Sequence, residues 1–199
     1  MSSMSPQQTR MRSEDRRELI LTAAMRVFGD SGYVGTTTAD VAAAAGVSQP
    51  YVVRMFGTKE KLFIEVLGRA LDLLMQTFRG AVEEAQGTDL HHRIGLAYVE
   101  LAETPGLLLS LMHGFVLGND PVIGREGRRG FMVVYRFLRH EAGFSADEAN
   151  QFLSGGMLIN TMIGLRMAED LADPDVRELM ETAFPTKLDA MRGLLGDER

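Results

Sequence analysis

The chain has 199 residues, 45% of them hydrophobic and 24% charged, with a formal net charge of −6 and neither cysteine nor tryptophan. This composition excludes a disordered chain, a collagen-like repeat and a disulfide-stapled miniprotein, and the missing cysteines exclude thiol nucleophiles, disulfides and thiolate metal sites. The acidic balance argues against general adhesion to nucleic acid, although a net charge sums over the whole chain and conceals local patches.

The first 18 residues, MSSMSPQQTRMRSEDRRE, carry arginines but no apolar stretch before Leu19, so they read as neither a signal peptide nor an anchor. Leu19, Ile20, Ala23, Ala24, Val27 and Phe28 form one stripe of an amphipathic helix, predicted from about Ser13 to Phe28. Ser13 caps it, with Glu14 and Asp15 in the first turn. The GDSG that follows, Gly29 to Gly32, is similar to a serine-protease nucleophile loop, but at the end of a helix it reads as a helix stop. Thr37 with Asp40 opens a short helix through Ala45, and Ser48 opens another to about Met55. Thr58 starts a long helix ending at Gly87. Farther on, Thr104-Pro105, Asp120-Pro121 and Asp173-Pro174 each put a capping side chain before a proline suited to a first helical position. Ser145 with Glu148 caps a helix from about Ala146 to Ala168, in which Gly155, Gly156 and Gly164 permit a close helix neighbour.

The fold class expected is all-α, with nine or ten helices, because no stretch alternates with period two for long enough to be a strand. The two longest stretches free of Lys, Arg, Asp and Glu, 104–119 and 149–165, fall short of the roughly 20 apolar residues of a membrane helix. The expectation is therefore a cytoplasmic protein with no membrane partner.

Between Thr38 and Phe56 the sequence reads TADVAAAAGVSQPYVVRMF. A helix-turn-helix needs a small residue where its helices cross, glycine in the turn and apolar residues facing inward. Ala42 supplies the first and Gly46 the second, and Val41, Ala45, Val47, Val52 and Met55 are the inward candidates. Any helical hairpin can carry such a turn. The longer segment AAMRVFGDSGYVGTTTADVAAAAGVSQPYVVRMFGTKEKLF, from Ala23 to Phe63, resembles the DNA-binding domain of the TetR family of bacterial transcriptional regulators. The shared features are the aromatic-Gly end of the first helix, the Thr-rich helix start, the AGVS turn, and Phe followed by Thr-Lys-Glu-x-Leu.

The resemblance implies an N-terminal three-helix domain with a helix-turn-helix, residues 10–62, and a larger helical bundle, residues 63–199, that binds ligand and dimerises. It implies a recognition helix from Gln49 to Phe56. Gln49 has the chemistry to bond adenine, Tyr51 to touch a thymine methyl or a phosphate, and Arg54 and Lys59 to hold phosphate. Pro50 sits with them at a helix N-terminus, where backbone N–H groups favour phosphate. Thr37, Thr38, Ser48 and Thr58 are caps first, and their hydroxyls or adjacent amides stand near the same backbone. One departure is that Val53, Arg54 and Met55 stand where the family often has Tyr-His-Tyr.

Charge partitions the same way. Through Leu62 there are eight Lys and Arg against six Asp and Glu, while the remainder carries 13 against 21. In that remainder Met112, His113, Phe115, Phe131 and Tyr135 are the candidate ligand-binding residues, with plain core packing as the alternative for each. Thirteen methionines suit either an adaptable apolar pocket or a loosely specified core. His91 and His92 are adjacent and do not face one site, so no metal or cofactor is expected.

Three readings follow. The first is a homodimeric repressor released from a palindromic double-stranded DNA operator by a small, largely apolar effector. The second is an all-α sensor or carrier without a DNA role. The third, an enzyme, lacks any paired acid and base or phosphate loop and is not expected.

Overall fold

A computed structural model of the chain describes residues 13–84 and 90–183. Its elements are α1 (Ser13–Gly35), α2 (Thr38–Ala44), α3 (Gln49–Phe56), α4 (Lys59–Glu83), α5 (Leu90–Leu101), α6 (Leu107–Val116), α7 (Ile123–His140), α8 (Ala146–Gly164), a 3-10 turn (Met167–Asp170) and α9 (Pro174–Ala183). No strand occurs among the described residues, and the fold is all-α, as expected. Residues 10–12, the expected helix end at Gly87 and residues 184–199 lie outside the described residues.

The helix starts follow from side chains. Thr37 and Asp40 form a reciprocal capping box on α2: the Asp40 backbone N–H donates to Thr37 Oγ1 (3.2 Å), and the Thr37 backbone N–H donates to the Asp40 carboxylate (2.8 Å). Ser145 and Glu148 repeat the device on α8. Thr58 Oγ1 accepts from the Lys61 N–H at the start of α4, and Asp173 Oδ1 accepts from the Asp175 N–H at the start of α9. Hydrogen bonds from the Thr37 hydroxyl and then its backbone N–H hold the Asp40 carboxyl below its ordinary value. A carboxyl so depressed adds stability that is complete above its unfolded value, about 4, and is lost as pH falls through the native one. Thr37→Ala should cost about 1 kcal/mol at neutral pH, read by urea denaturation, and less in acid. A cost that does not diminish in acid would show that the Asp40 bonds add nothing.

Several local expectations are corrected. α7 starts at Ile123 and not at Pro121, with Asp120 Oδ1 accepting from the Val122 (2.9 Å) and Ile123 (2.8 Å) N–H groups. α1 does not stop at Gly29 but runs to Gly35 with a break at Gly32, whose φ is +69°. Its inward face is Ile20, Leu21, Ala24, Met25 and Phe28, while Leu19 is exposed, because α1 is gripped by α6 as well as by α4. α6 starts at Leu107 instead of Pro105, because Gly106 takes φ +75° where the backbone meets α1. α8 ends at Gly164, ahead of a left-handed Arg166.

α4 organises the rest. Its 25 residues make a rod about 37 Å long at 1.5 Å per residue, and it is continuous across residue 62. Near its start Phe63 closes an aromatic cluster with Phe28 (centroids 4.8 Å apart) and Tyr33 (5.1 Å). Near its end Phe78 packs against Tyr98, Phe137 and Phe152, at 5.7–6.2 Å. The first cluster ties α1 to α4, and the second ties α5, α7 and α8 to it.

Candidate nucleic-acid interface and cavity

α2 and α3 cross at buried Val41, Ala42 and Val52, and the turn between them needs Gly46 at φ +64°. The Val47 N–H donates to Ala42 O (3.0 Å), which closes the turn. Ala45, Val47 and Met55, taken as inward candidates, are half-buried against the same core. With Val52 and Phe56 inside, the opposite face of α3 presents Gln49, Pro50, Val53 and Arg54 to solvent.

Each expected contact residue has a definite place. Gln49 Nε2 donates to Thr38 Oγ1 (3.1 Å), tying the start of α3 to α2. Ser48 makes no side-chain cap on α3; its carbonyl accepts from the Tyr51 N–H (3.0 Å) and Pro50 has no N–H, which leaves the Ser48 hydroxyl and the Gln49 amide uncapped. The half-buried Tyr51 ring lies under two guanidinium groups, Arg54 at 4.9 Å and Arg16 at 5.7 Å from its centroid. Lys59 is more tethered than a surface cation: its Nζ donates to Tyr33 O (3.0 Å) and stands 4.4 Å from the Tyr33 ring. Burial, then the Glu60 and Asp120 carboxylates, raise the Tyr33 phenol above its ordinary value, so the ring facing Lys59 stays neutral. Arg17 pairs with Glu65 and covers the Phe56 ring at 5.2 Å, fixing α1 to α3 and α4.

Two residues of this surface were not singled out from sequence. Arg16 was counted only as charge, yet it reaches the recognition helix through Tyr51. Val53 was noted only as a departure from the family pattern, yet it is 43% exposed in the middle of the outward face. Its spacing four residues after Gln49, out of phase with Val52 and Phe56, was the available signal.

The second feature is an apolar cavity between α4, α5, α6, α7 and α8, about 60 Å³ in volume and open to solvent on one side. Leu67, Leu71 and Leu74 of α4 and the rings of Phe78, Phe115, Phe131 and Phe152 line it. Phe115 and Phe131 meet edge to face at 5.6 Å, so the structure brings these two candidates together at the cavity. Tyr135 instead lines a groove beside it, shared with Phe131 and Met157. His113 faces α1, where its Nε2 lies 3.3 Å from Gly29 O, and neither it nor Met112 lines the cavity. The polar members of the wall are few. Tyr98 donates its hydroxyl to Asn160 Oδ1 (2.8 Å), and burial pushes its phenol up to about 12. At the mouth Arg129 Nε bonds Glu126 Oε2 at 2.7 Å.

Gly155, Gly156 and Gly164 differ in use. Gly156 lets the Tyr98 ring lie against α8, Gly164 lies near Leu109, and Gly155 faces open space. His91 lies 3.7 Å from the Glu148 carboxylate and packs at a tilt against the Phe144 ring. Among the described residues no three His, Asp or Glu stand together as metal ligands would, and no helix is long and apolar enough to cross a membrane.

Comparison with known proteins adds the following. Residues 20–66 match the family described as bacterial regulatory proteins, tetR family. The HTH-type transcriptional activator FasR of Mycolicibacterium smegmatis is 35% identical over 88 residues, which are 44% of this chain and 39% of that protein. The chain thus spans about two fifths of the length of that curated relative. A TetR-like transcriptional regulator from Rhodococcus sp. RHA1 has the same fold, with a TM-score of 0.63 at 18% identity over 94% of this chain and 100% of that one. The multidrug binding protein EbrR, complexed with imidazole, aligns with a TM-score of 0.56 at 20% identity over 92% of this chain and 98% of that one.

Proposed function

We propose that this chain, which belongs to the TetR family of bacterial regulatory proteins by its DNA-binding segment, is a homodimeric repressor released from a palindromic operator by a small, largely apolar effector. The division into a DNA-binding unit, residues 10–62, and a ligand-binding and dimerising unit, residues 63–199, is part of that reading. The observation that carries it is the outward face of α3, where Gln49, Val53 and Arg54 stand exposed together on a helix held by a buried crossing with α2. Gln49 and Val53 read base edges, and Arg54, the Ser48 hydroxyl and the uncapped Gln49 amide hold phosphate. Thr37, Thr38, Pro50, Tyr51, Thr58 and Lys59 flank that face, with Tyr51 held by Arg16 and Lys59 held by Tyr33. One such helix reads too few bases for useful specificity, so two copies place their helices in successive major grooves about 34–36 Å apart. Leu158 in α8, Leu165 just after it and Leu179 in α9 are exposed, which supports this part of the chain as the dimer face.

The effector site is the apolar cavity. α6 lines it with Leu111 and Phe115 and also touches α1 through Gly106, Ser110 and His113, so an occupant that shifts α6 shifts the first DNA-binding helix. Linkage then requires DNA and effector to weaken each other by the same factor, typically 1–3 kcal/mol.

Selection of bound fragments from genomic DNA, followed by titration at several salt concentrations, tests the reading. Arg54→Ala should weaken all sequences and lower the salt slope by about one, whereas Gln49→Ala should alter preference at one base position. The absence of any preferred fragment would overturn the DNA role, and equal losses on every sequence for Gln49→Ala would remove its base-reading role.

A further inference from the structure

Asn160 is the one carboxamide in a mostly apolar chamber. It is 3% exposed, its Oδ1 is occupied by the Tyr98 hydroxyl, and its amide N–H2 group makes no hydrogen bond to any described residue. Yet no polar side-chain atom sealed from its surroundings lacks a partner among the described residues. The amide nitrogen is therefore open to the cavity that Asn160 lines. An unpaired buried amide costs free energy that an occupant recovers only by presenting an acceptor to it.

Two further observations narrow the occupant. The charged side chains on the wall, Glu126 and Arg129, are bonded to each other at the mouth, so the chamber offers no unpaired charge to a charged ligand. Beyond Phe115, Phe131 and Met157, which line both, lies a largely apolar groove bordered by Gly118, Gly124, Met132 and Arg128, whose guanidinium donates to Gly118 O (3.4 Å). That continuation suits an extended body more than a compact one.

We propose that the cavity selects an uncharged, extended apolar molecule carrying one hydrogen-bond acceptor, a ketone or ester carbonyl, received by the Asn160 amide while Tyr98 fixes that amide's orientation. Tyr98 acts through Asn160 and is a positioning residue. The inference rests on the cavity's being the effector site.

The test is calorimetric titration of the full chain with three probes of equal length: nonane, 2-nonanone and nonanoate. On the unmodified protein 2-nonanone should bind about tenfold tighter than nonane, the worth of one hydrogen bond to a buried amide, and tighter than nonanoate. Asn160→Leu, of similar volume, should abolish the preference for the ketone while nonane still binds. Tyr98→Phe should reduce the preference without removing it. Equal binding of nonane and 2-nonanone to the unmodified protein would overturn the role of Asn160 and leave the cavity as a ligand site. Preference for nonanoate would overturn the uncharged class. Failure of all three probes to bind would overturn the cavity itself as the effector site, and that comparison needs no variant to fold.

Discussion

Gly106→Ala is expected to cost about 3–5 kcal/mol of folding stability, a large share of the 5–15 kcal/mol typical of a whole domain. Two effects add. Gly106 has φ +75°, and the left-handed conformation alone costs an alanine about 1–2 kcal/mol. Its Cβ would also lie 2.2 Å from Met25 O and 2.7 Å from Arg26 Cα, and backbone atoms have no rotamer through which to yield. The same Met25 carbonyl accepts the buried Ser110 hydroxyl at 2.9 Å, so pushing α1 away breaks that bond too. Gly143 is the control: it has the same φ, but no atom lies within 4 Å of its added Cβ. Urea denaturation of both variants separates strain from close approach. If Gly106→Ala costs no more than Gly143→Ala, the backbone contact between α1 and α6 contributes nothing.

Val53→Glu should lower operator affinity at least 100-fold while leaving the folded structure and its thermal midpoint nearly unchanged. Val53 is exposed and spans the gap between Gln49 and Arg54, so a carboxylate there meets the phosphate-lined groove at the closest point of approach. Like charges brought together at an interface cost several kcal/mol, and 100-fold corresponds to about 2.7 kcal/mol. Val53→Ala keeps the surface neutral and should lose only the discrimination a methyl contact supplies, about 1–3 kcal/mol at one base pair. Fluorescence anisotropy with the selected fragment measures both, and circular dichroism verifies folding. Unchanged affinity in Val53→Glu would mean that this face of α3 does not meet DNA.

Much of the N-terminal unit was legible because its signals are local. Thr37 with Asp40, Gly46 in a turn and Thr58 before Lys61 are each read within four residues, and each occurs in the structure as a cap or a positive φ. The inward stripe of α1 was misjudged because a single helix does not reveal that α6 grips it from a second side at Met25 and Gly29. The cavity was legible only in part. Phe115 and Phe131 lie on it, but helical spacing within α6 or α7 cannot say which neighbour each face meets, and His113 turned toward α1. Tyr98 and Asn160, 62 residues apart, form a pair that no local pattern announces.

The glycines of α6 and α7 repeat the arrangement at Gly106. A Cβ on Gly124 would lie 2.4 Å from Gly118 O, and one on Gly127 would lie 2.8 Å from Gly114 O. α6 is thus fastened to α1 on one side and α7 on the other by main chain, whereas the chamber it borders is walled by side chains of five helices. Mutation therefore meets two regimes a few ångströms apart. Wall residues such as Leu74, Phe115, Leu153 and Met157 can be exchanged one at a time, each altering the shape offered to a ligand. The glycine contacts admit no substitute of any size, so a lineage descended from this chain can change what it senses far more readily than how the signal leaves the chamber.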